Sequence, residues 1–206
     1  LVNKNPVLNN CDLKKNAIIT GPNASGKTTI LKTLLINVIL CQQYGYGYFY
    51  SGTLNPYHHI HCYLNIPDTS GRDSLFQAEA RRCKEILDLI EEKPEERHIC
   101  IFDELYSGTN PYEAVSSAYG FLKYIKKNKK VNFLLTTHFI RLCKLLQEEK
   151  NVENCRMKST VDNYKPKYFY LLEKDISQIK GGIAVLKEID YPEEILNHAK
   201  SILEKL

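Results

Sequence analysis

The stretch Ile19–Ile30, ITGPNASGKTTI, contains a glycine-bearing loop of the form G-x-x-x-x-G-K-[ST]. The short apolar run at 16–20 predicts a buried strand before the loop. Apolar residues at helical spacing predict a helix over 27–40 after it. Strand, loop and helix in this order are the context in which such a loop binds phosphate, so we expect a nucleotide site. A strand-to-helix turn without a ligand is the alternative.

The residues of this loop have distinct expected roles. The backbone N–H groups and the helix N-terminus would surround the phosphates, because these donors are unpaired and carry a partial positive charge. Lys27 would bridge the β- and γ-phosphates of ATP, and the Thr28 hydroxyl would bind Mg²⁺. The predicted nucleotide contacts of the loop are Gly21, Pro22, Asn23, Ala24, Ser25, Gly26, Lys27, Thr28 and Thr29.

Composition places the chain among ordinary globular proteins. Its 206 residues are 43% apolar and 25% charged, and they suffice for one domain with a buried core. Polar residues interrupt the longest apolar stretch, which excludes a membrane span and a membrane partner. Because the chain begins abruptly, a short distance before the phosphate loop at Gly21, we expect it to be a domain excised from a longer protein.

The charged residues, cysteines and histidines indicate which partners and which cellular compartment to expect. The net charge of +4 does not by itself indicate nucleic acid, and the basic run 123–130 fits a solvated helix end better than a DNA-contacting patch. Seven cysteines are scattered without a C-x-x-C pair, which indicates free thiols in an intracellular, reducing compartment. Histidines within 58–62 suggest either a metal site or the face of an edge strand, and we favour the strand face.

Strands and helices alternate along the chain. The predicted strands are 16–20, 60–66, 98–102, 131–136 and two short strands within 152–173; the predicted helices are 27–40, 74–91, 111–127, 139–149 and 191–205. This order predicts the α/β class, with a mostly parallel sheet flanked by helices. We divide the chain into a core, 1–180, and a small C-terminal helical tail, 181–206. In the tail, Asp190 and Glu193 are spaced as a capping box.

A pair of acidic residues follows the predicted strand at 98–102. Asp103 stands where phosphate-loop proteins place a carboxylate that holds Mg²⁺. Glu104, next to it, is suited to act as the base that polarises an attacking water. A strand ending in a solvated acidic turn is the alternative. Beside this phosphate loop, the pair favours hydrolysis over binding alone.

A histidine marks the end of the predicted strand at 131–136. His138 would hydrogen-bond a γ-phosphate, although alone a histidine here is more often a capping or core residue. The carboxyl ends of parallel strands gather ligand sites at one edge of a sheet. We therefore expect His138 and Glu104 to be catalytic.

These motifs resemble the ABC-type ATPase superfamily of P-loop NTPases, and their wording resembles the C-terminal ATPase domain of the MutS mismatch-repair family. The motif T-G-P-N-x-x-G-K-[ST] corresponds to 20–28, D-E-L-x-x-G-T to 103–109, and T-H to 137–138. The stretch 181–203 is similar to the family's helical tail. Ala24 and Ser25 depart from the bulkier residue and the glycine that are common in the family loop.

The resemblance adds one residue to the expected site. The family's signature reads roughly G-x-S-T-F-x-x-E, and here 74–79 reads SLFQAE. Ser74 would be offered to the γ-phosphate held by a partner subunit, besides serving as a helix cap. Leu75 stands where the family usually has Thr, and Gly71 lies one residue further upstream than in the family.

The resemblance implies an ATP- and Mg²⁺-dependent ATPase with a second MutS-like subunit as partner, most simply in a homodimer. ATP would close the dimer and hydrolysis would open it, controlling a clamp on double-stranded mismatched DNA through regions absent from this chain. One alternative is another ABC-type ATPase, of the structural-maintenance, recombination or transporter kind. Another is a nucleotide-gated dimerisation module with vestigial hydrolysis.

Overall fold

The strands of the protein form one six-stranded sheet, and helices separate most of them along the chain. The computed structural model describes residues 5–64, 74–162, 165–179 and 181–203. In chain order the elements are β1 (Asn16–Thr20), α1 (Lys27–Tyr44), β2 (His59–Tyr63), α2 (Leu75–Glu92), β3 (His98–Asp103), α3 (Pro111–Ile125), β4 (Val131–Thr136), α4 (Ile140–Gln147), β5 (Val152–Asp162), β6 (Lys165–Lys174), α5 (Gly182–Glu188) and α6 (Glu193–Leu203).

The sheet is mostly parallel. Its strand order is β2-β3-β4-β1-β5-β6, and only β5 and β6 pair in the antiparallel direction. All five residues of β1 are buried, because this strand lies in the interior of the sheet between β4 and β5. The predicted α/β class with a mostly parallel sheet is confirmed.

Helices cover both faces of the sheet. Side chains alternate along a strand, and β3 shows the consequence. Ile99 and Ile101 pack with residues of α1, whereas Cys100 and Phe102 pack with residues of α2, α3 and α4. The sheet is therefore flanked by helices, as predicted, and the core consists of two layers that share it.

Side-chain caps define where α2 and α3 begin. Ser74 caps α2: its hydroxyl accepts from the Gln77 N–H at 3.3 Å, and the Gln77 side chain accepts from the Ser74 N–H at 2.9 Å. Asn110 caps α3 by accepting from two backbone N–H groups, and Pro111 occupies the first turn. The first turn of each helix is thus fixed by residues that directly precede it.

Some predicted helix boundaries differ from the structure by one to four residues. The helix predicted at 27–40 continues to Tyr44 and ends at Gly45, which adopts φ of 73°. The helix predicted at 139–149 is shorter, Ile140–Gln147. Both errors are typical of helix ends, where apolar spacing gives no stop signal.

The strands at the two edges of the sheet also differ from their predicted bounds. β2 is His59–Tyr63, and residues 65 and 66 of the predicted strand lie outside the described residues. β5 and β6 form a long hairpin where two short strands were predicted. The hairpin forms one end of the sheet, where β5 and β6 pair in the antiparallel direction.

The C-terminal tail contains two helices where one was predicted. The predicted helix at 191–205 begins at Glu193, three residues after Asp190, and the Leu196 N–H donates to the Pro192 carbonyl. The cap position therefore falls at Pro192. Asp190 has a left-handed φ of 59°, so its predicted role in a capping box is wrong.

The helix of the tail that was not predicted is α5, which contacts both β6 and α6. The division into a core at 1–180 and a tail at 181–206 remains a prediction. Within the described residues, no helix is both long enough and apolar enough to cross a membrane.

The basic run at 123–130 lies at the end of α3. Lys123 and Lys126 both pair with the Glu149 carboxylate, at 3.0 and 2.7 Å. Hydrogen bonds from Lys126 and then Lys123 lower the pKa of Glu149 to about 2. Part of the basic charge is therefore neutralised within the protein, in keeping with a solvated helix end.

Three histidine rings stack at the edge formed by β2 and β3. The His98 ring lies 4.6 Å from the His59 ring and 5.3 Å from the His61 ring, between centroids. His98 donates from Nε2 to the Lys93 carbonyl, so its Nδ1 accepts from His61 Nε2 at 3.0 Å. His59 contacts Glu96. In the described part of the chain, no three or more His, Cys, Asp or Glu side chains are grouped so that they could hold a metal ion.

Candidate nucleotide-binding site

The phosphate loop connects the buried end of β1 to the start of α1. Gly26 precedes the helix with φ of 98°, a conformation that favours glycine, and it offers no side chain to cap the first turn. The first N–H groups of α1 are therefore not capped by a side chain, and the helix dipole adds positive potential there. This helix end suits a bound anion.

Lys27 turns back into the loop that precedes it. Its Nζ donates to the Gly21 carbonyl at 2.9 Å and to the Pro22 carbonyl at 3.2 Å, and the residue is only 6% exposed. Burial lowers the pKa of Lys27, while the negative charges of Glu104 and Asp103 raise it. A buried ammonium that bonds to two neutral carbonyls is a suitable partner for an anionic group.

Glycines in the loop are packed too closely to carry side chains. A Cβ on Gly21 would lie 2.7 Å from Ser25 Oγ, and one on Gly26 would lie 3.2 Å from the Tyr170 ring. Met157 contacts both positions. Side chains of the β5–β6 hairpin therefore pack against the phosphate loop.

The remaining loop residues divide by exposure. Gly21, Pro22 and Ser25 are buried, and the Ser25 hydroxyl has no hydrogen-bond partner among the described residues. The predicted contacts at the tip of the loop and in the first turn of α1 are exposed: Asn23, Ala24 and Thr29. Exposure leaves these residues accessible to a ligand, and their contacts with a nucleotide remain a prediction.

Asp103 lies at the mouth of the loop. Its Oδ2 accepts from the Thr28 hydroxyl at 2.8 Å, and its Oδ1 accepts from the Thr136 hydroxyl. The contact with Thr136 follows from the pairing of Asp103 and Thr136 at the ends of β3 and β4. Carboxylate and hydroxyl oxygens are hard ligands of the kind that Mg²⁺ takes, so the donor set fits this ion.

Glu104 and His138 meet beside this cluster. The Glu104 carboxylate lies 2.8 Å from His138 Nε2, and both side chains are partly exposed. The hydrogen bond from His138 is the main cause that lowers the pKa of Glu104, and the charge of Lys27 acts in the same direction. Glu104 is thus held as a carboxylate that solvent can reach.

The backbone at Glu104 is in an uncommon conformation. Its φ is 55°, and Tyr106 two residues later has φ of 59°. The Glu104 N–H donates to the Thr136 carbonyl at 3.1 Å, which extends the β3–β4 contact past the end of the strand. Left-handed φ at non-glycine residues carries strain that often accompanies functional sites.

Ser74 is not part of this contact network. Among the described residues, its side chain and its N–H form capping bonds with Gln77 at the start of α2. Gly71, upstream of it, lies outside the described residues. Within the described chain Ser74 is an exposed helix cap, and a role toward a partner's nucleotide remains a prediction.

Sequence reasoning missed several residues that shape the site. Thr136 is the last residue of an apolar strand, and nothing in the pattern identified its bond to Asp103. Met157 and Tyr170 come from the hairpin, whose β5–β6 pairing is irregular between Met157 and Ser159. Glu79 lies in the motif at 74–79, which assigns it no role, and it is 2% exposed.

Comparison with known proteins identifies the family. The model of MutS domain V matches residues 17–206. The chain belongs to the MutS family. The match covers nearly the whole chain, including the phosphate loop, the acidic pair and the helical tail.

Individual members of the MutS family agree with this assignment. The DNA mismatch repair protein MutS of Clostridium perfringens is 31% identical over 206 residues, 98% of this chain and 22% of its own length. The protein of the same name from Orientia tsutsugamushi is 30% identical over 205 residues, and that of Persephonella marina 28% over 201. These two matches cover 97% and 96% of this chain, respectively. They span only 22% and 23% of the lengths of the two relatives.

Proposed function

We propose that this chain is the ATPase domain of a MutS-type DNA mismatch repair protein, a P-loop NTPase of the ABC type that uses ATP and Mg²⁺. The observation that supports it best is the hydrogen bond from Thr28 to Asp103. It joins the phosphate loop to the acidic strand end, the two elements that phosphate-loop enzymes use to hold Mg²⁺.

The proposed binding mode assigns the phosphates to the loop and the metal to its mouth. Loop N–H groups and Lys27 would bind the β- and γ-phosphates, and Thr28 and Asp103 would hold Mg²⁺. When bound, Mg²⁺ would neutralise charge on the phosphate oxygens. Burial of the Lys27 ammonium strengthens its attraction to phosphate, since little water screens it.

Glu104 would supply the base for hydrolysis. Its carboxylate would accept a hydrogen bond from the attacking water and orient it toward the γ-phosphate. His138 would hold the Glu104 side chain in place and stabilise its ionised form, through the 2.8 Å contact described above. The exposure of both side chains leaves them accessible to water.

Partners follow from the family resemblance. Ser74 at the start of α2 would contact the γ-phosphate bound by a second MutS-like subunit, so that ATP closes a dimer. Hydrolysis would then reopen it. Double-stranded mismatched DNA would be bound by other regions of the parent protein, with this domain timing the clamp.

Nucleotide binding by a Lys27→Ala variant tests the proposal. We expect a fluorescent ATP analogue with Mg²⁺ to bind the unmodified chain, and to bind the variant roughly 10- to 100-fold more weakly, because a charge-assisted bond is lost. Lys32→Ala, an exposed lysine of the same helix, is the matched control and should bind normally. Equal affinity of the Lys27→Ala and Lys32→Ala variants would overturn the proposed site.

A further inference from the structure

The carboxylate of Glu79 is buried inside the contact between α2 and the turn that follows β3. Glu79 is 2% exposed. Its Oε1 accepts from the Ser107 N–H at 3.0 Å and from the Ser107 hydroxyl at 2.9 Å, and its Oε2 accepts from the Gly108 N–H at 3.0 Å. Both carboxylate oxygens are therefore bonded to the same short turn.

Bonds of this kind hold the turn firmly. Burying a carboxylate is costly unless hydrogen bonds compensate it, and bonds to a charged acceptor are stronger than those between neutral groups. The nearby Tyr63 side chain reflects the same charge: burial, followed by the negative charge of Glu79, raises the pKa of Tyr63. Glu79 is thus the centre of a buried polar contact between two elements.

The turn also packs against the first residues of α2. A Cβ on Gly108 would lie 2.7 Å from the Phe76 backbone nitrogen and 2.7 Å from Leu75 Cγ. Two residues before Gly108, the Tyr106 ring lies 5.6 Å from the Phe76 ring, between centroids. The turn is therefore in direct contact with the helix end that Ser74 caps.

The same turn begins at the acidic pair. Only Leu105 and Tyr106 separate Glu104 from Ser107. The Glu104 backbone is fixed to β4 through its N–H bond to Thr136, and Leu105 is 1% exposed. A displacement at Glu104 has a short and well-packed path to Ser107 and Gly108.

We propose that Glu79 is a positioning residue that couples Glu104 to Ser74, so that the acidic pair and the start of α2 respond together when nucleotide binds. The proposal rests on the proposed function, because it requires nucleotide beside Glu104. It assigns a coupling role to a buried residue of α2 that bonds the turn after β3.

Hydrogen exchange of the 206-residue chain tests the coupling. A non-hydrolysed ATP analogue with Mg²⁺ should change backbone exchange in both 104–110 and 74–80. In Glu79→Gln, the analogue should still bind and alter 104–110, but the change at 74–80 should be lost. Glu85→Gln, an exposed glutamate of the same helix, is the control and should behave like the unmodified chain.

A second variant covers the case in which Glu79→Gln does not fold. Ser107→Ala keeps the buried carboxylate and two of its three bonds, so it should fold and show a reduced response at 74–80. Without nucleotide, exchange of the Gly108 amide in Glu79→Gln should rise about tenfold or more, because a bond to a charged acceptor is weakened.

Three results decide the outcome. The proposal is overturned if both variants respond at 74–80 as strongly as the unmodified chain. It is also overturned if the analogue binds the unmodified chain without any change at 74–80, while the proposed function stands. Absence of binding to the unmodified chain would overturn both.

Discussion

The Thr28 hydroxyl donates a 2.8 Å hydrogen bond to the Asp103 carboxylate across 75 positions of sequence. The contact forms because the phosphate loop follows β1 and Asp103 ends β3, and both strands end at the same edge of the sheet with β4 between them. Thr136 on β4 bonds the other carboxylate oxygen. Asp103 is consequently held on two sides by hydroxyl groups.

The first prediction concerns Asp103. Asp103→Asn keeps the shape of the side chain and removes its charge, so it should weaken nucleotide binding in the presence of Mg²⁺ by at least about tenfold. Binding in EDTA should change little, because the phosphate contacts remain. Titration of a fluorescent ATP analogue with and without Mg²⁺ measures this. Asp88→Asn is the control, and an equal loss in EDTA and in Mg²⁺ would contradict the metal role.

The second prediction separates binding from hydrolysis. Glu104→Gln should lower ATP turnover roughly 10²- to 10⁴-fold while nucleotide affinity is retained, since only the base is removed. A phosphate-release assay beside binding titrations measures both. If turnover of the unmodified chain already equals that of Glu104→Gln, the domain is a nucleotide-gated module without hydrolysis.

Dimer closure gives the third prediction. Because Glu104→Gln should keep ATP bound, we expect ATP with Mg²⁺ to shift its mass in solution toward that of a dimer. Adding Ser74→Arg should abolish the shift, since a bulky cation would replace the exposed cap. Light scattering with and without ATP measures the mass. A shift that persists with Ser74→Arg would remove Ser74 from the interface.

The fourth prediction is acid sensitivity of the histidine stack. Burial, followed by His98 and His59, lowers the pKa of His61 from 6.5 to about 4. His61 is therefore neutral in the folded protein, whereas the unfolded chain binds its proton below about pH 6.5. The stabilisation is complete above pH 6.5 and is lost as the pH falls toward about 4, by roughly 3 kcal/mol in total.

Urea unfolding between pH 7 and pH 5 measures this dependence. His61→Gln should be less stable at pH 7 and should lose less stability on acidification than the unmodified chain. His198→Gln, an exposed histidine of α6, should follow the unmodified chain at every pH. Stability that stays constant between pH 6.5 and pH 5 would show that His61 is not buried as a neutral group.

The fifth prediction compares two glycines. Gly108→Ala places a Cβ 2.7 Å from the Phe76 backbone nitrogen and should destabilise the protein by about 1–3 kcal/mol. In α3, a Cβ on Gly120 would meet no described atom within 4 Å beyond its own turn of helix, so Gly120→Ala should stabilise the protein by about 0.5–1 kcal/mol. Thermal unfolding measures both. Similar melting temperatures for the two variants would mean that the turn is not packed on α2.

The alternation of strands and helices could be predicted because each element has a clear apolar period. β1, β3 and β4 are nearly continuous apolar runs, as buried parallel strands require. Helix ends were less accurate, since the stop of α1 depends on the conformation of Gly45 rather than on hydrophobicity. The start of α6 was misplaced because capping-box spacing at Asp190 matched by chance.

Local motifs predicted the residues of the site but not its long-range contacts. Lys27, Asp103 and His138 are recognisable because each stands in a motif or at a strand end. Thr136 and Glu79 have partners that are set by strand register and helix packing, and no local pattern reveals such partners. The motif around Ser74 shows a helix cap, and its predicted partner lies on another subunit.

The contacts of Lys27 bear on how an anion would bind here. Gly21 and Pro22 offer their carbonyl oxygens to the same ammonium that a phosphate would use. An ammonium carries three N–H donors, so these two carbonyls leave one donor for an anion. The proposed phosphate contact would therefore not require the loop to release the lysine, and the loop backbone would hold the ammonium ready for it at little cost in side-chain entropy.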